Sequence, residues 1–220
     1  MAENYPQRAF RLPPGATELI VVRHGASAAA VPDEPFDLLD GHSDPPLAPE
    51  GREQAEKVAD RLEAEPVSAL FVTPLQRTGQ TAEPLAKRTG LEPVTIEQLR
   101  EVLLGDWEGG EFRIRAANGD PIIARLFQEE RWDVIPGAEK MEHFSQRVSD
   151  GLAKAFDAVG PDATGAAVLH GGVIAEICHQ VTGSRPFAFI QVDNASITRL
   201  VRFPDGRRLL RSFNAIDHLR

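Results

Sequence analysis

What the chain lacks narrows its class before any motif is weighed. It has one cysteine, Cys178, which excludes an intramolecular disulfide and is compatible with a reducing compartment. Cys178 falls in the apolar stretch Val173-Ile174-Ala175-Glu176-Ile177-Cys178, so it is expected as a buried structural thiol. Positive charge is in deficit: 24 Lys and Arg stand against 33 Asp and Glu, a net charge of −9. A general nucleic-acid or membrane-surface binder needs a basic face, so an anionic ligand would have to be met by a local cationic pocket. No apolar run approaches bilayer length, and Met1 to Arg11 carry no apolar segment of the secretory kind, so a cytoplasmic location is expected. Also missing are a Cys/His cluster at metal-ligand spacing, the glycine fingerprints of phosphate loops and dinucleotide sites, and the G-x-S-x-G elbow of serine hydrolases. Neither a metal nor an organic cofactor is expected.

What is present is an ordinary globular balance, 42 % apolar and 26 % charged over 220 residues, expected as one domain over residues 1–220 with a leader over 1–15 that ends at Pro13-Pro14-Gly15. Leu19-Ile20-Val21-Val22 reads as a strand buried on both faces. Residues 26–49 read as a long loop of the kind that often forms lids or walls. Pro49-Glu50 opens a helix to about Glu63. Ser68 to Val72 is a strand, and Thr73 is expected to cap the helix that follows to Arg88. Pro93 to Ile96 reads as a short strand, Gly105 to Gly110 as a turn, and Pro121 to Glu130 as a helix. Met141, Phe144, Val148, Leu152, Ala155, Phe156 and Val159 share one face of a helix from about Glu139 to Val159. Ala166 to Leu169 is a buried strand, Gly172 to Val181 a helix, and Ser196 to Phe203 with Leu209 to Phe213 a hairpin around Pro204-Asp205-Gly206. Alternating strands and helices predict an α/β sandwich with a mostly parallel sheet.

The ends of the predicted strands carry the chemistry. Strand one ends in Arg23-His24-Gly25. The second ends in Thr73-Pro74-Leu75-Gln76-Arg77-Thr78. The third leads to Leu99-Arg100-Glu101, and the later buried strand ends in His170-Gly171-Gly172. In a parallel sheet these ends gather along one edge, where α/β ligand crevices open. The inferred site holds two histidines, two arginines and a carboxyl group, with glycines that let backbone N–H groups approach an anion and a helix N-terminus beside Gly172. Such a set suits phosphoryl transfer through a covalent phosphohistidine. Glu108 is the alternative to Glu101 as proton donor. His143, His179 and His218 are expected to be structural. Trp107 and Trp132 are left between substrate wall and core.

The order of these motifs resembles the histidine phosphatases, the superfamily that includes cofactor-dependent phosphoglycerate mutase. The resemblance runs from Leu19 through Gly25 and Gly41-His42-Ser43-Asp44-Pro45-Pro46-Leu47, with Gly51, Gln54 and Ala55. It continues through Thr73 to Ala82, Leu99-Arg100-Glu101, Gly105 to Gly109, Pro136-Gly137-Ala138-Glu139, His170-Gly171-Gly172 and Asn194-Ala195-Ser196. It implies a three-layer α/β/α sandwich with a mostly parallel sheet. It also implies His24 as phosphorylated nucleophile, Arg23 and Arg77 as clamps on the phosphoryl oxygens, His170 as a further phosphoryl contact with Gly171 beside it, and Glu101 as proton donor. The chain departs from the pattern at Ala26, where the family commonly has Glu, at Ala30, where it commonly has Asn, and at His42. Ser27 or His42 is the expected compensation. The activity implied is metal-independent phosphomonoester hydrolysis. A primed mutase-type phosphotransferase and a non-catalytic phosphate-binding module are the alternatives, with Arg113 and Arg115 as a weak imitation of the mutases' extra arginine pair. The expected partners are a small phosphomonoester and, as product, inorganic phosphate, with no nucleic acid and no membrane; a homodimer stays open. If Asp33, Glu34, Asp37 and Asp40 line the entrance, they disfavour highly charged substrates.

Overall fold

The computed structural model describes residues 4–220; Met1 to Glu3, the start of the expected leader, lie outside the described residues. Strand β1 (Thr17–Arg23) is followed by a small hairpin, β2 (Leu38–Leu39) and β3 (His42–Ser43), then α1 (Pro49–Leu62), β4 (Val67–Val72), α2 (Gln76–Thr89) and β5 (Val94–Thr95). Next come α3 (Glu111–Ala117), α4 (Pro121–Glu129), α5 (Met141–Val159), β6 (Thr164–Leu169), α6 (Gly171–Thr182), β7 (Ile197–Arg202) and β8 (Arg208–Ala215). The main sheet has the order β5-β4-β6-β1-β7-β8. Strands β5, β4, β6 and β1 run parallel, while β7 runs antiparallel to both its neighbours.

The apolar run in β1 is continuous because both faces of the sheet are covered. Leu19 and Val21 point into one core, with Phe71, Ala167, Leu169 and the apolar stripes of α5 and α6. Ile20 and Val22 point into the other, with Leu70, Val72, Ala166, Val168 and residues of α1 and α2. The period-two alternation of a strand thus divides consecutive residues between two helical layers. All six residues of β6 are buried, as its central place between β4 and β1 requires. Cys178 is fully buried in α6, and burial pushes its thiol up to about 12, so it is a core residue as expected.

Two local expectations are corrected. Thr73 does not cap α2: the helix begins at Gln76 after an extended Leu75, with no side-chain cap. The Thr73 hydroxyl lies instead 2.9 Å from His170 Nε2. The segment read as a long loop over residues 26–49 carries the β2–β3 hairpin, and a further helix, α3, stands between the expected turn at 105–110 and the helix from Pro121. Because β6 sits between β1 and β4, the ends of all three strands meet on one edge of the sheet, and α6 starts directly from that edge at Gly171.

Candidate active site

The end of β1 is fixed from every side by the motif residues. Gly25 N–H donates to Thr81 Oγ1 at 3.0 Å, Ala26 N–H to the Gln54 side chain at 2.8 Å, and Asn194 Nδ2 to the His24 carbonyl at 3.0 Å. Helix α1 presses its Gly51 against this turn. A Cβ on Gly51 would come within 2.0 Å of the Ala26 carbonyl oxygen, and one on Gly25 within 2.4 Å of the Gly51 oxygen. Much of the spaced pattern at Gly25, Gly51, Gln54 and Thr81 therefore holds one backbone turn in place, and that turn presents His24.

His24 is buried, with Nδ1 2.7 Å from the Gly25 carbonyl oxygen. A carbonyl oxygen only accepts, so Nδ1 carries the proton and Nε2 keeps its lone pair. Arg77 Nε–H points at that lone pair from 3.2 Å. Arg77 is itself held by the Ser43 carbonyl at 2.8 Å and by Asp44 at 3.9 Å. Arg23 donates from Nη1 to the Val192 carbonyl, leaving a buried Nε without a partner. His170 is fully buried beneath His24; their rings meet edge-on with centroids 5.3 Å apart, and His170 Nδ1 has no partner. His42 is buried, with Nδ1 3.3 Å from the Asp40 carbonyl and Nε2 unpartnered. Orphaned buried polar atoms are rare because each costs free energy. Here three of them, Arg23 Nε, His42 Nε2 and His170 Nδ1, cluster around His24.

A cavity of about 280 Å³ opens over this cluster. Its wall contains Arg23, His24, His42, Arg77, Glu101 and Glu108, and an apolar side that includes Trp107 and Phe112. Glu101 accepts from Val102 N–H at 3.0 Å and from Gly172 N–H, in the first turn of α6, at 3.1 Å. Glu108 is tied into the scaffold. It accepts from Ser43 N–H at 2.7 Å, from the Ser43 hydroxyl, and from Leu104 N–H at 2.8 Å. His170 and Gly171 stand behind the wall, and Ser27 binds Arg113 Nη2 at 2.7 Å. A Cβ on Gly110 would meet the Ala30 methyl at 3.0 Å and the Phe36 ring at 3.2 Å, so the loop packs closely against this turn. Trp107 is wall and core at once, whereas Trp132 packs between Phe112 and Phe187.

The sequence pattern gives no sign that Thr73 and Ser43 are parts of this site. Arg113 and Arg115 do not form a pair facing the cavity: Arg115 turns to Glu111 at 3.0 Å and Asp120 at 3.1 Å, while Arg113 joins the wall. Nor do Asp33, Glu34, Asp37 and Asp40 line the entrance; they are exposed, and Asp40 pairs with Arg100 at 3.1 Å. His143 is exposed, His179 Nδ1 contacts the Ser184 carbonyl at 2.5 Å, and His218 contacts the Ala195 carbonyl at 3.0 Å, all away from the cavity. Among the described residues no group of three or more His, Cys, Asp or Glu is placed to hold a metal ion, and no helix is long and apolar enough to cross a membrane.

Burial, reinforced by Arg77 and Arg23, holds the His24 imidazole well below its ordinary 6.5. Burial, with Arg77 and His24, does the same to His170. Arg77 is lowered by burial to about 10 and stays charged at neutral pH. Both histidines are thus neutral in the folded protein, while the unfolded chain protonates them below about pH 6.5. The unfolded state then binds more protons, so stability falls as pH drops through that value, by up to about 2.7 kcal/mol per pH unit for the pair. Above it the pair adds no pH dependence. Denaturant unfolding from pH 8 to 5 in phosphate-free buffer is expected to show this slope, and replacing either histidine with Asn is expected to reduce it.

The fold is that of phosphoglycerate mutase-like proteins. The phosphoglycerate mutase of Bacillus anthracis, 23 % identical, superposes with a TM-score of 0.76 over 94 % of this chain and 96 % of its own. The chain belongs to the histidine phosphatase superfamily (branch 1), whose family model matches residues 19–215. It is 30 % identical over 208 residues to phosphoglycerate mutase-like protein 4 of Arabidopsis thaliana, covering 92 % of this chain and 86 % of the relative. A mycobacterial glucosyl-3-phosphoglycerate phosphatase is 28 % identical, with a TM-score of 0.73 over 91 % of this chain and all of its own (100 %). Phosphatases and mutase-like proteins thus both stand among the relatives.

Proposed function

We propose that the protein is a phosphomonoester hydrolase that works through a phosphohistidine on His24, without a metal. The observation that carries the reading is the placement of His24: a buried imidazole whose Nδ1 lies 2.7 Å from the Gly25 carbonyl oxygen, which directs Nε2 to the cavity wall, where Arg77 Nε meets it at 3.2 Å. The phosphoryl group takes its place against Arg23 and Arg77 on the cavity wall, with His170, whose buried Nδ1 has no partner, close behind. His24 Nε2 attacks phosphorus in line, the ester P–O bond breaks, and the leaving alkoxide takes a proton from the Glu101 carboxyl. The Nδ1–H bond to Gly25 then stabilises the cationic ring. Water next attacks phosphorus, Glu101 takes its proton, and the N–P bond breaks, returning the electron pair to Nε2 and releasing inorganic phosphate. His42, where buried Nε2 has no partner, supplies the auxiliary contact that Ala30 cannot. Ser27 acts one step removed, through Arg113.

Glu101 is assigned the proton because it accepts two hydrogen bonds, both from backbone N–H groups, whereas Glu108 accepts three, with the Ser43 backbone and hydroxyl both on one of its oxygens. Glu101→Gln is expected to slow alkyl phosphate hydrolysis by about 10²–10⁴-fold. With a nitrophenyl ester, whose leaving group needs no proton, it is expected to give a burst of nitrophenol followed by slow turnover as phosphohistidine accumulates. Glu108→Gln is expected to show no such dependence on leaving group. Gly172→Ala should copy the Glu101 defect, since its Cβ would stand 2.6 Å from Glu101 Oε1 and displace that flexible side chain. Stopped-flow kinetics on both esters separates these outcomes.

The reading as a hydrolase is tested by phosphate release from a panel of phosphomonoesters in the presence of EDTA. Release by the wild type without a bisphosphorylated primer supports the hydrolase. Activity only with primer would make the protein a phosphotransferase. Phosphate affinity without turnover would make it a binding module.

A further inference from the structure

Thr73 carries a buried hydroxyl that no step of the hydrolysis uses. It directly follows β4 and His170 directly follows β6, so the parallel pairing of the two strands sets these residues side by side. Thr73 Oγ1 lies 2.9 Å from His170 Nε2 and 3.2 Å from the hydroxyl of Thr78, the neighbour of Arg77 on α2. Thr78 and His170 are buried as well, so each hydrogen in the group has few places to go. The Thr78 oxygen is 2.9 Å from the Leu75 carbonyl and 3.0 Å from the Thr73 carbonyl. Carbonyl oxygens only accept, so Thr78 donates to them and is an acceptor towards Thr73, whose backbone N–H reaches it at 3.1 Å.

The Thr73 hydroxyl hydrogen then has two acceptors open to it, Thr78 Oγ1 and the nearer His170 Nε2. Given to Thr78, it leaves His170 to donate from Nε2 and puts a lone pair on Nδ1. Given to His170, it leaves the single hydrogen of the neutral ring on Nδ1. Nδ1 is the ring nitrogen without a protein partner, in a ring that meets His24 edge-on. Phosphoryl oxygens only accept, so His170 serves them only as an Nδ1–H donor. We propose that Thr73 is a positioning residue that donates its hydroxyl hydrogen to His170 Nε2 and so keeps the His170 hydrogen on Nδ1, available to a phosphoryl oxygen. Where that hydrogen sits is a property of the free protein; its kinetic consequence rests on the phosphohistidine reading.

Long-range proton–nitrogen NMR on protein labelled at histidine nitrogen reads the tautomer, with the His170 signals assigned by their loss in His170→Asn. Wild type is expected to show Nδ1–H, both alone and with inorganic phosphate added; Nε2–H in either condition overturns the proposal. In Thr73→Val the donor is gone and the ring's lone pair turns to the nearby charges of Arg77 and Arg23, so Nε2–H is expected, and an unchanged Nδ1–H overturns the proposal. Thr73→Ser is expected to keep the wild-type pattern. The wild-type spectrum decides even if Thr73→Val does not fold, because an unprotonated Nε2 at 2.9 Å from a hydroxyl can only accept from it. On an ester that is turned over, Thr73→Val is expected to lose about 10–10²-fold in kcat, and Thr73→Ser to stay within about threefold of wild type. In a His170→Asn background Thr73→Val is expected to cost less than about threefold more, because its effect passes through His170. A general loosening of β4 or α2 would cost as much in either background, so equal losses overturn the proposal. If no ester is turned over, the hydrolase reading fails while the spectra still uphold or overturn the role of Thr73.

Discussion

His24→Asn is expected to abolish turnover, lowering kcat by about 10⁴-fold or more, while the chain stays folded. Asn keeps a polar side chain of moderate size beside the Gly25 carbonyl but offers no lone pair able to attack phosphorus. Removing a nucleophile removes the covalent path, so the loss is far larger than for any single contact to the phosphoryl oxygens, where about 10²–10³-fold is expected. The variant should still bind phosphate, because Arg23, Arg77 and His170 remain. The same substitution removes one of the two buried neutral imidazoles, so it should also flatten the acid limb of the stability profile. Steady-state rates on the best ester, together with phosphate titration, check both halves of this expectation.

The largest effect on stability is expected at Gly51. The Cβ of Gly51→Ala would meet the Ala26 carbonyl oxygen at 2.0 Å, with the carbonyl carbon and the Ala26 nitrogen each at 2.9 Å. These are backbone atoms, so no rotamer change relieves the clash. Either α1 or the turn after His24 must move, and moving either breaks the Ala26 to Gln54 bond of 2.8 Å and the Ala48 to Ala26 bond of 2.9 Å. We expect a loss of about 4 kcal/mol or more, in the range reserved for core overpacking and broken buried networks. Gly79→Ala provides the contrast. Gly79 lies within α2, and a Cβ there meets nothing within 4 Å, so the change should stabilise the protein by up to about 1 kcal/mol through helix propensity alone. Denaturant midpoints for the two variants measure both effects.

The readable parts of this protein were those governed by short-range rules. A run of four apolar residues reads as a strand covered on both sides, and the meeting of the ends of β1, β4 and β6 on one edge follows from the direction of parallel strands. The parts that escaped are set by tertiary contacts. Thr73 has the residue type and position of a helix cap, yet its hydroxyl is drawn to His170 across the sheet edge. Helix α3 has no buried residue and so no apolar stripe to announce it; it follows two positive-φ glycines, Gly109 and Gly110, which read as a turn. The hairpin β2–β3 spans two residues per strand, too few for any alternation to register. Glu101 and Glu108 look alike in sequence, and only the fold gives them different partners: Glu101 accepts from the Val102 and Gly172 N–H groups, Glu108 from Ser43 and Leu104. Arg113 and Arg115 look equivalent in sequence and differ only in what folds against them.

The covalent intermediate on His24 is tested by rapid quench into base during turnover, followed by mass spectrometry of the peptide containing residue 24. The expected result is a base-stable, acid-labile phosphoryl group on His24, up to one per chain, that forms and decays as fast as phosphate is released. Turnover with no phosphoryl group on His24, or with one on another residue, would contradict it.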